Sequence, residues 1–475
     1  MSVELERGPV FPARPDIASR GRELHRSAPV APVVNSAPHK LNSVFGVLLV
    51  AVVAIAPLPL ASNRPAFWTL WAIAIGAFAA IYGIALLWLR APARRSMMTY
   101  WPEAILFIAV LAWLSFQMLP IGQWLPAALT HVPVLDIAAN SISLDPGSTR
   151  LTLLNFATYG LLFLLFAQVA ANRRRARSML LALFFVIAAF AVYGLVSLVQ
   201  LGDTLLGFEK LYYNGNATGT FINRNSFATF LAAGLAIGVP LLVESVGQLR
   251  GIGQVGRWLR LALVLLGLLF IAATLFATSS RMGAIAGFVG ALIGLGLSLQ
   301  RVEGQGRLWL GLGAVVAVIA VAALYGVGTL ERLMLSDDET GRVELYRQVW
   351  DAIWQRPWAG YGGGSFATVF PMFQHAPLPG DTLWDKAHST YLALWFELGL
   401  VAGTFPMLVV AGLLFRAVRG LWDASSRVIS AAAIAVTVVF ALHSLVDFSA
   451  EIMADAFLFT AILALGAAGG RTGEH

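Results

Sequence analysis

From about Leu41 onward the chain alternates long apolar runs with short polar segments. The runs lie near 41–58, 66–89, 102–119, 151–171, 178–200, 225–244, 259–278, 282–299, 308–327, 389–415, 428–446 and 452–469. Most reach about twenty residues, the length at which a helix crosses a bilayer. The pattern predicts an all-α polytopic membrane protein with about 12 transmembrane helices.

The polar segments orient these spans. Residues 1–40 hold six Pro and six Lys or Arg without periodicity, which predicts a disordered tail. With that tail in the cytoplasm, every second loop is short and basic, and those segments hold 22 of the 32 Lys and Arg residues. The bias predicts cytoplasmic N- and C-termini. Composition agrees, with 58% hydrophobic residues, 12% charged residues and a mean hydropathy of +0.76. The net charge of +7 resides in the loops between spans, which argues against a nucleic-acid partner. Without a single Cys, disulfide and thiolate chemistry are excluded.

Three segments of the opposite side are long, at 120–150, 201–224 and 328–388. The last contains SDDETGRVELYRQVWDAIWQRP, in which Val343, Tyr346, Val349, Trp350, Ile353 and Trp354 recur at helical spacing. Ser336 with Glu339 has the form of a capping box, and Pro357 closes the segment. These features predict an amphipathic helix at the outer membrane–water boundary. Long segments on one side and short basic ones on the other place the chemistry outside, which in a Gram-negative cell is the periplasm.

The outer side carries three notable arginines: Arg224 in INRNS, Arg281 in TSSRMG and Arg342 in TGRVE. Arg224 and Arg281 stand at span ends, where a charge is costly and tends to mark a site. A guanidinium matches phosphate oxygens and stays charged at any relevant pH, although a single such Arg also suits headgroup contact. His388 stands at the junction between the long loop and the span at 389–415 and suits a general base. His443 and Asp447, four residues apart in HSLVDFSAE, can pair on one helical face that looks outward. Asn225 beside Arg224 and Tyr346 on the loop helix are auxiliary candidates. Gly362 in GYGGGSF is another, because the backbone amides of such a turn can cradle phosphate. No metal-ligand spacing, Ser-His-Asp order or redox motif is present.

FINRNSFATFLA opening one span, ATSSRMGAIAG joining two, GRVELYRQVWDAIWQRPWAGYGGGSF in the long loop, and His388-Ser389 followed by Gly399 resemble the O-antigen ligase and O-antigen polymerase family. The likeness is clearest over 210–403, and HSLVDFSAE is closer to polymerase-like relatives. The resemblance implies a glycosyltransferase-C-like architecture and a periplasmic active site in the bacterial inner membrane. It also implies an undecaprenyl-diphosphate-linked saccharide donor and a lipid A-core or second lipid-linked glycan as acceptor, with no cofactor or metal. In that setting Arg224, Arg281 and Arg342 would hold the diphosphate, and His388 would take the acceptor proton. The chain then divides into the tail (1–40), N-terminal spans (41–209), a catalytic region (210–403) containing the loop 328–388, and C-terminal spans (404–475). A flippase for lipid-linked sugars also accounts for many spans and Arg residues. It would show paired repeats with broken helices at mid-membrane.

Overall fold

A computed structural model describes residues 37–299 and 337–468, apart from Pro133, Leu135, 248–253 and Thr382. The tail up to residue 36, the run at 308–327, the loop start at 328–336 with Ser336, and Arg471 lie outside the described residues. The N-terminal spans are α1 (Ala37–Ile55), α2 (Pro65–Trp88), α3 (Trp101–Gln117), α5 (Pro146–Ala170) and α6 (Arg173–Val199), with a short α4 (Ala127–Thr130) in the 120–150 segment. Next come α7 (Arg224–Gly247), α8 (Gln254–Ala277) and α9 (Arg281–Ser298). The loop provides α10 (Asp337–Gln355) and α11 (Phe366–Val369). The chain closes with α12 (Thr390–Leu398), α13 (Leu400–Gly420), α14 (Arg427–His443) and α15 (Met453–Ala467). Among the described residues, eight helices are long and apolar enough to cross a membrane, and three shorter apolar ones accompany them. Among the described residues the first helix covers Ala37–Ile55. Two small antiparallel hairpins, β1 (His131–Val132) with β2 (Ile137–Ala138) and β3 (Thr204–Leu205) with β4 (Phe208–Glu209), interrupt the all-α pattern in the long segments.

Local chemistry sets the helix starts. Asp145 accepts the Ser148 amide at 3.0 Å and Asn172 accepts the Arg175 amide at 3.0 Å. Pro65 and Pro146 occupy first-turn positions, where the missing N–H costs nothing. At one end of the bundle, basic side chains tie helices together. Arg416 grips Glu103 through two hydrogen bonds of 2.7 and 2.9 Å. Arg177 and Arg260 share Glu244 at 2.6 and 3.1 Å. Arg173 reaches the terminal carbonyl of α15 at Ala468 (2.8 Å), where a cation suits the helix dipole. The alternate basic loops read from the sequence therefore do meet at one end.

The centre of the bundle is a trio of α7, α9 and α14. Lipid is as apolar as a buried leucine, so close backbone approach and dispersion hold such helices together. The sequence provides this with glycine. A Cβ at Gly283 would lie 2.5 Å from the Ala228 Cβ, and one at Gly287 would lie 2.9 Å from the Ala232 Cβ. Gly290 meets Ala236 and Val439, and Gly294 meets Pro240. The steps ascend together, so α7 and α9 run parallel and in register. α14 packs alongside both of them, with Val439 against Gly290.

The long loop folds into a cap with its own core, formed by Leu345, Val349, Ala352 and Ile353 of α10 with Tyr361, Phe366, Phe370 and Phe396. The helix expected in the long loop is present, and the apolar positions at its helical spacing divide between two faces. The apolar face of α10 packs inside the cap, while Val343, Trp350 and Trp354 are the exposed residues. Buried Arg356 fastens the cap to the 120–150 segment by donating to the carbonyls of Leu129 and Ile142, the latter at 3.1 Å. Burial pushes its guanidinium down to about 10.

The run at 389–415 is not one span. Gly399 takes φ +79°, which ends α12 and starts α13 in a new direction. A side chain there would meet the Trp358 carbonyl oxygen at 2.5 Å. The freed backbone groups are claimed by Leu400 N–H to the Pro357 carbonyl (2.7 Å) and Trp113 Nε1 to the Leu398 carbonyl (2.9 Å).

The glycine seam makes a definite prediction. Gly287→Leu should lower stability by about 1–3 kcal/mol by forcing α7 from α9. Gly76→Leu on α2, where no atom lies within 4 Å, should change it by under about 0.5 kcal/mol. Unfolding of the two detergent-solubilised variants by heat or denaturant separates these outcomes.

Candidate functional site

All three helices of the central trio begin with arginine, Arg224 on α7 and Arg281 on α9 at one end of the bundle and Arg427 on the antiparallel α14 at the other. Asn223 caps α7 by accepting the Asn225 amide at 2.7 Å, which leaves Arg224 as the first helical residue. Its guanidinium lies over the Tyr213 ring (5.3 Å) and donates to Asn216 Oδ1 at 3.4 Å. The turn holding those two partners is braced from beneath. Buried Lys210 binds Asp203 and the Asn216 carbonyl (2.8 Å), and Asp203 accepts the Gly215 amide at 2.6 Å. Arg281 starts α9 in the same way. Ser279 adopts φ +54°, and Ser280 caps the helix by accepting the Gly283 amide at 3.3 Å. A hydrogen bond from Ala217 N–H to the Ala277 carbonyl (2.8 Å) joins the two turns.

This arrangement opposes the helix dipole. A helix N-terminus carries about half a positive charge and favours an anion. Neither α7 nor α9 has an acidic residue in its first turn. The in-register seam sets two such ends side by side, each with a guanidinium, at the end of the bundle opposite the basic ties. Their summed field is that of an anion site.

His388 lies in the strand of chain between the cap and α12, with φ +51°. A branched-ring side chain in that region is uncommon, and its strain persists only where the surroundings hold it. Here they do. Tyr346 Oη donates to the His388 carbonyl at 2.9 Å. Thr390 N–H and Ser389 Oγ donate to the Ser444 carbonyl at 3.0 and 3.3 Å. The imidazole packs edge-on against Trp384 (5.6 Å) and Phe448 (5.2 Å). Burial pushes the Tyr346 hydroxyl up to about 12, despite the opposing charge of Arg342, so it remains a donor. Arg342 stands one turn before Tyr346 on α10, so loop arginine, tyrosine and histidine gather in one place. Asn225 sits in the first turn of α7, where its carbonyl accepts the Thr229 hydroxyl at 3.1 Å.

His443 and Asp447 do pair at four-residue spacing, with Nδ1 3.6 Å from Asp447 Oδ2, and His443 is only 1% exposed. Ser449 Oγ joins them, 2.5 Å from Asp447 and 3.4 Å from His443. The pair is a buried polar link between α14 and the turn before α15. One expectation changes: Gly362 does not offer its amide to a phosphate. That amide donates to the Glu397 carbonyl at 2.9 Å, and the amides of Gly364 and Phe366 point to the Glu397 carboxylate. The carboxyl group that occupies the glycine turn is the protein's own.

The sequence reading missed Lys386, which binds Glu451 Oε2 at 2.8 Å and faces the Phe448 ring at 5.8 Å. Burial lowers the ammonium pKa, but the Glu451 carboxylate and its hydrogen bond outweigh this, and the net shift is upward. The one available signal was its place two residues before His388. Nothing local pointed to Glu451, 65 residues on. Tyr213 and Asn216 were missed for the same reason. Among the described residues, no group of three or more His, Asp and Glu residues has the form of a metal site.

The fold is that of a polytopic helical membrane protein whose long loop folds into a cap with its own apolar core. Residues 266–407 match the family model described as O-antigen ligase. The match takes in Arg281, Arg342, Tyr346, Gly362 and His388, and it ends before His443 and Asp447 and starts after Arg224 and Asn225. It supports the likeness to the O-antigen ligase and polymerase family that the sequence motifs carry. No curated protein matches the chain.

The hold on His388 is testable without any substrate. Tyr346→Phe should lower stability by about 1 kcal/mol, the net worth of one hydrogen bond. Proteolysis of the 380–389 segment should accelerate, with peptide mapping as the readout.

Proposed function

We propose that this chain is an inner-membrane glycosyltransferase. It moves a glycan from undecaprenyl diphosphate to an acceptor hydroxyl on the periplasmic side, in the manner of an O-antigen ligase. The observation that carries this reading is the pair of neighbouring helices α7 and α9, each opening on arginine with no acid in its first turn. A diphosphate is the anion that such an end accommodates, and it is already a good leaving group. Arg224 and Arg281 hold it, with Arg342 contributing from α10. Their donors stabilise the charge that grows on the departing oxygen.

In the reaction the acceptor oxygen attacks the anomeric carbon while the carbon–oxygen bond to the diphosphate breaks. The electron pair of that bond leaves with the lipid diphosphate. The acceptor proton passes to the neutral imidazole of His388. Attack opposite the leaving group inverts the anomeric centre. For ligation the acceptor is a lipid A-core sugar. Polymerisation uses the same chemistry with a second lipid-linked repeat, and the HSLVDFSAE likeness to polymerase-like relatives favours keeping it as the second reading. A flippase is disfavoured by the placement of the arginines at helix ends rather than at helix breaks in mid-bundle.

Purified chain given undecaprenyl-diphosphate-linked oligosaccharide and either lipid A-core or a second donor molecule tests the reading. His388→Ala should lower turnover roughly a hundredfold or more, with donor affinity retained. Arg224→Ala and Arg281→Ala should each weaken donor binding by roughly tenfold or more. Wild-type turnover by His388→Ala would remove the base assignment. Movement of the lipid-linked glycan across vesicles without any glycosidic product would replace the whole reading by the flippase.

A further inference from the structure

The strain at His388 needs a source of support on the side chain as well as on the backbone. Tyr346 and Ser444 hold the backbone on either side. The ring packs edge-on against Trp384 and Phe448. Phe448 is 9% exposed, packs into the main apolar core and belongs to the linker between α14 and α15. Its ring also faces the Lys386 ammonium, at 5.8 Å. Lys386 in turn is locked to Glu451, three residues beyond Phe448, at 2.8 Å. Two short stretches, Lys386–His388 and Phe448–Glu451, are thereby joined twice. One joint is the ion pair, and the other is the edge-on contact of imidazole and phenyl. Phe448 sits between the two charged or polar heads.

We propose that the Lys386–Glu451 pair is a positioning device that fixes the His388 imidazole through Phe448. Neither residue touches the reacting atoms. The pair closes the short loop between His388 and the linker, so the phenyl ring cannot swing away from the imidazole. Its partly buried setting makes the lock sensitive to single changes, because removing one partner leaves the other charge uncompensated. A reacting group displaced by about 1 Å loses up to about a hundredfold in rate. The kinetic side of this inference rests on the proposed function; the geometric side does not.

The experiment therefore has two arms on the full chain in detergent. In the first, the rate at which diethyl pyrocarbonate labels His388 is followed by mass spectrometry, with His375 as internal control. His375 Nδ1 is engaged by the Phe373 carbonyl at 2.8 Å, away from the pair. Lys386→Met and Glu451→Gln should each change His388 labelling by roughly threefold or more and leave His375 unchanged, while Lys386→Arg should stay near wild type. In the second arm, with the lipid-linked donor and acceptor, the two neutral variants should lose roughly tenfold in turnover with donor affinity within about twofold. The double exchange Lys386→Glu with Glu451→Lys should recover much of that loss. Unchanged His388 labelling in both neutral variants would overturn the inference, as would failure of the double exchange to recover labelling. If labelling responds as expected but wild-type protein transfers no glycan, the pair still positions His388 and the proposed function falls instead.

Discussion

The structure turns on the close parallel contact of α7 and α9. Glycine and alanine let the two backbones approach, and that approach brings two helix N-termini of the same polarity together. Each terminus begins with an arginine, so the seam sets Arg224 and Arg281 at one end of the bundle, where the helix dipoles also favour negative charge. Dispersion along the seam and the third helix, α14, hold the pair together, and this links packing to the proposed chemistry.

The cap works on a different principle. It has its own apolar core and is tied to the bundle at a few points, among them Arg356, the Tyr346–His388 bond and the Lys386–Glu451 pair. Of the arginines proposed to hold the donor, Arg224 and Arg281 sit on the bundle, whereas the candidate base sits on the strap between bundle and cap. A residue so placed can be held in an unfavourable backbone conformation, since both bodies contribute to fixing it.

Much of this was legible in the sequence. Apolar runs of membrane length, alternate basic loops and the helical period of 337–355 all reflect local rules, and the helices follow them. Arg224, Arg281 and His388 were legible as candidates, because a charge or imidazole at a span end stands out against an apolar background. What was not readable depended on tertiary contact. The break at Gly399 lies within an unbroken apolar run, and only the Trp358 carbonyl pressed against it explains it. Gly362 read as a phosphate cradle because its amides are of the right kind; that Glu397 claims that turn is a fact of folding. The four-residue spacing of His443 and Asp447 was legible as a pair, but the linker that buries it was not.

The corner at Gly399 deserves a last consequence. Four distant stretches meet there in fixed register: Tyr361 and Gly362 donate to the carbonyls of Phe396 and Glu397, Leu144 donates to Tyr361, and Gln117 Nε2 spans the carbonyls of Ala359 and Glu397. Adding or deleting one residue in any of the four would shift a row of donors against its acceptors where burial keeps water from substituting. Across evolutionary change in chain length, insertions should therefore collect in the tips of the long segments, and the spacing around this corner should stay constant.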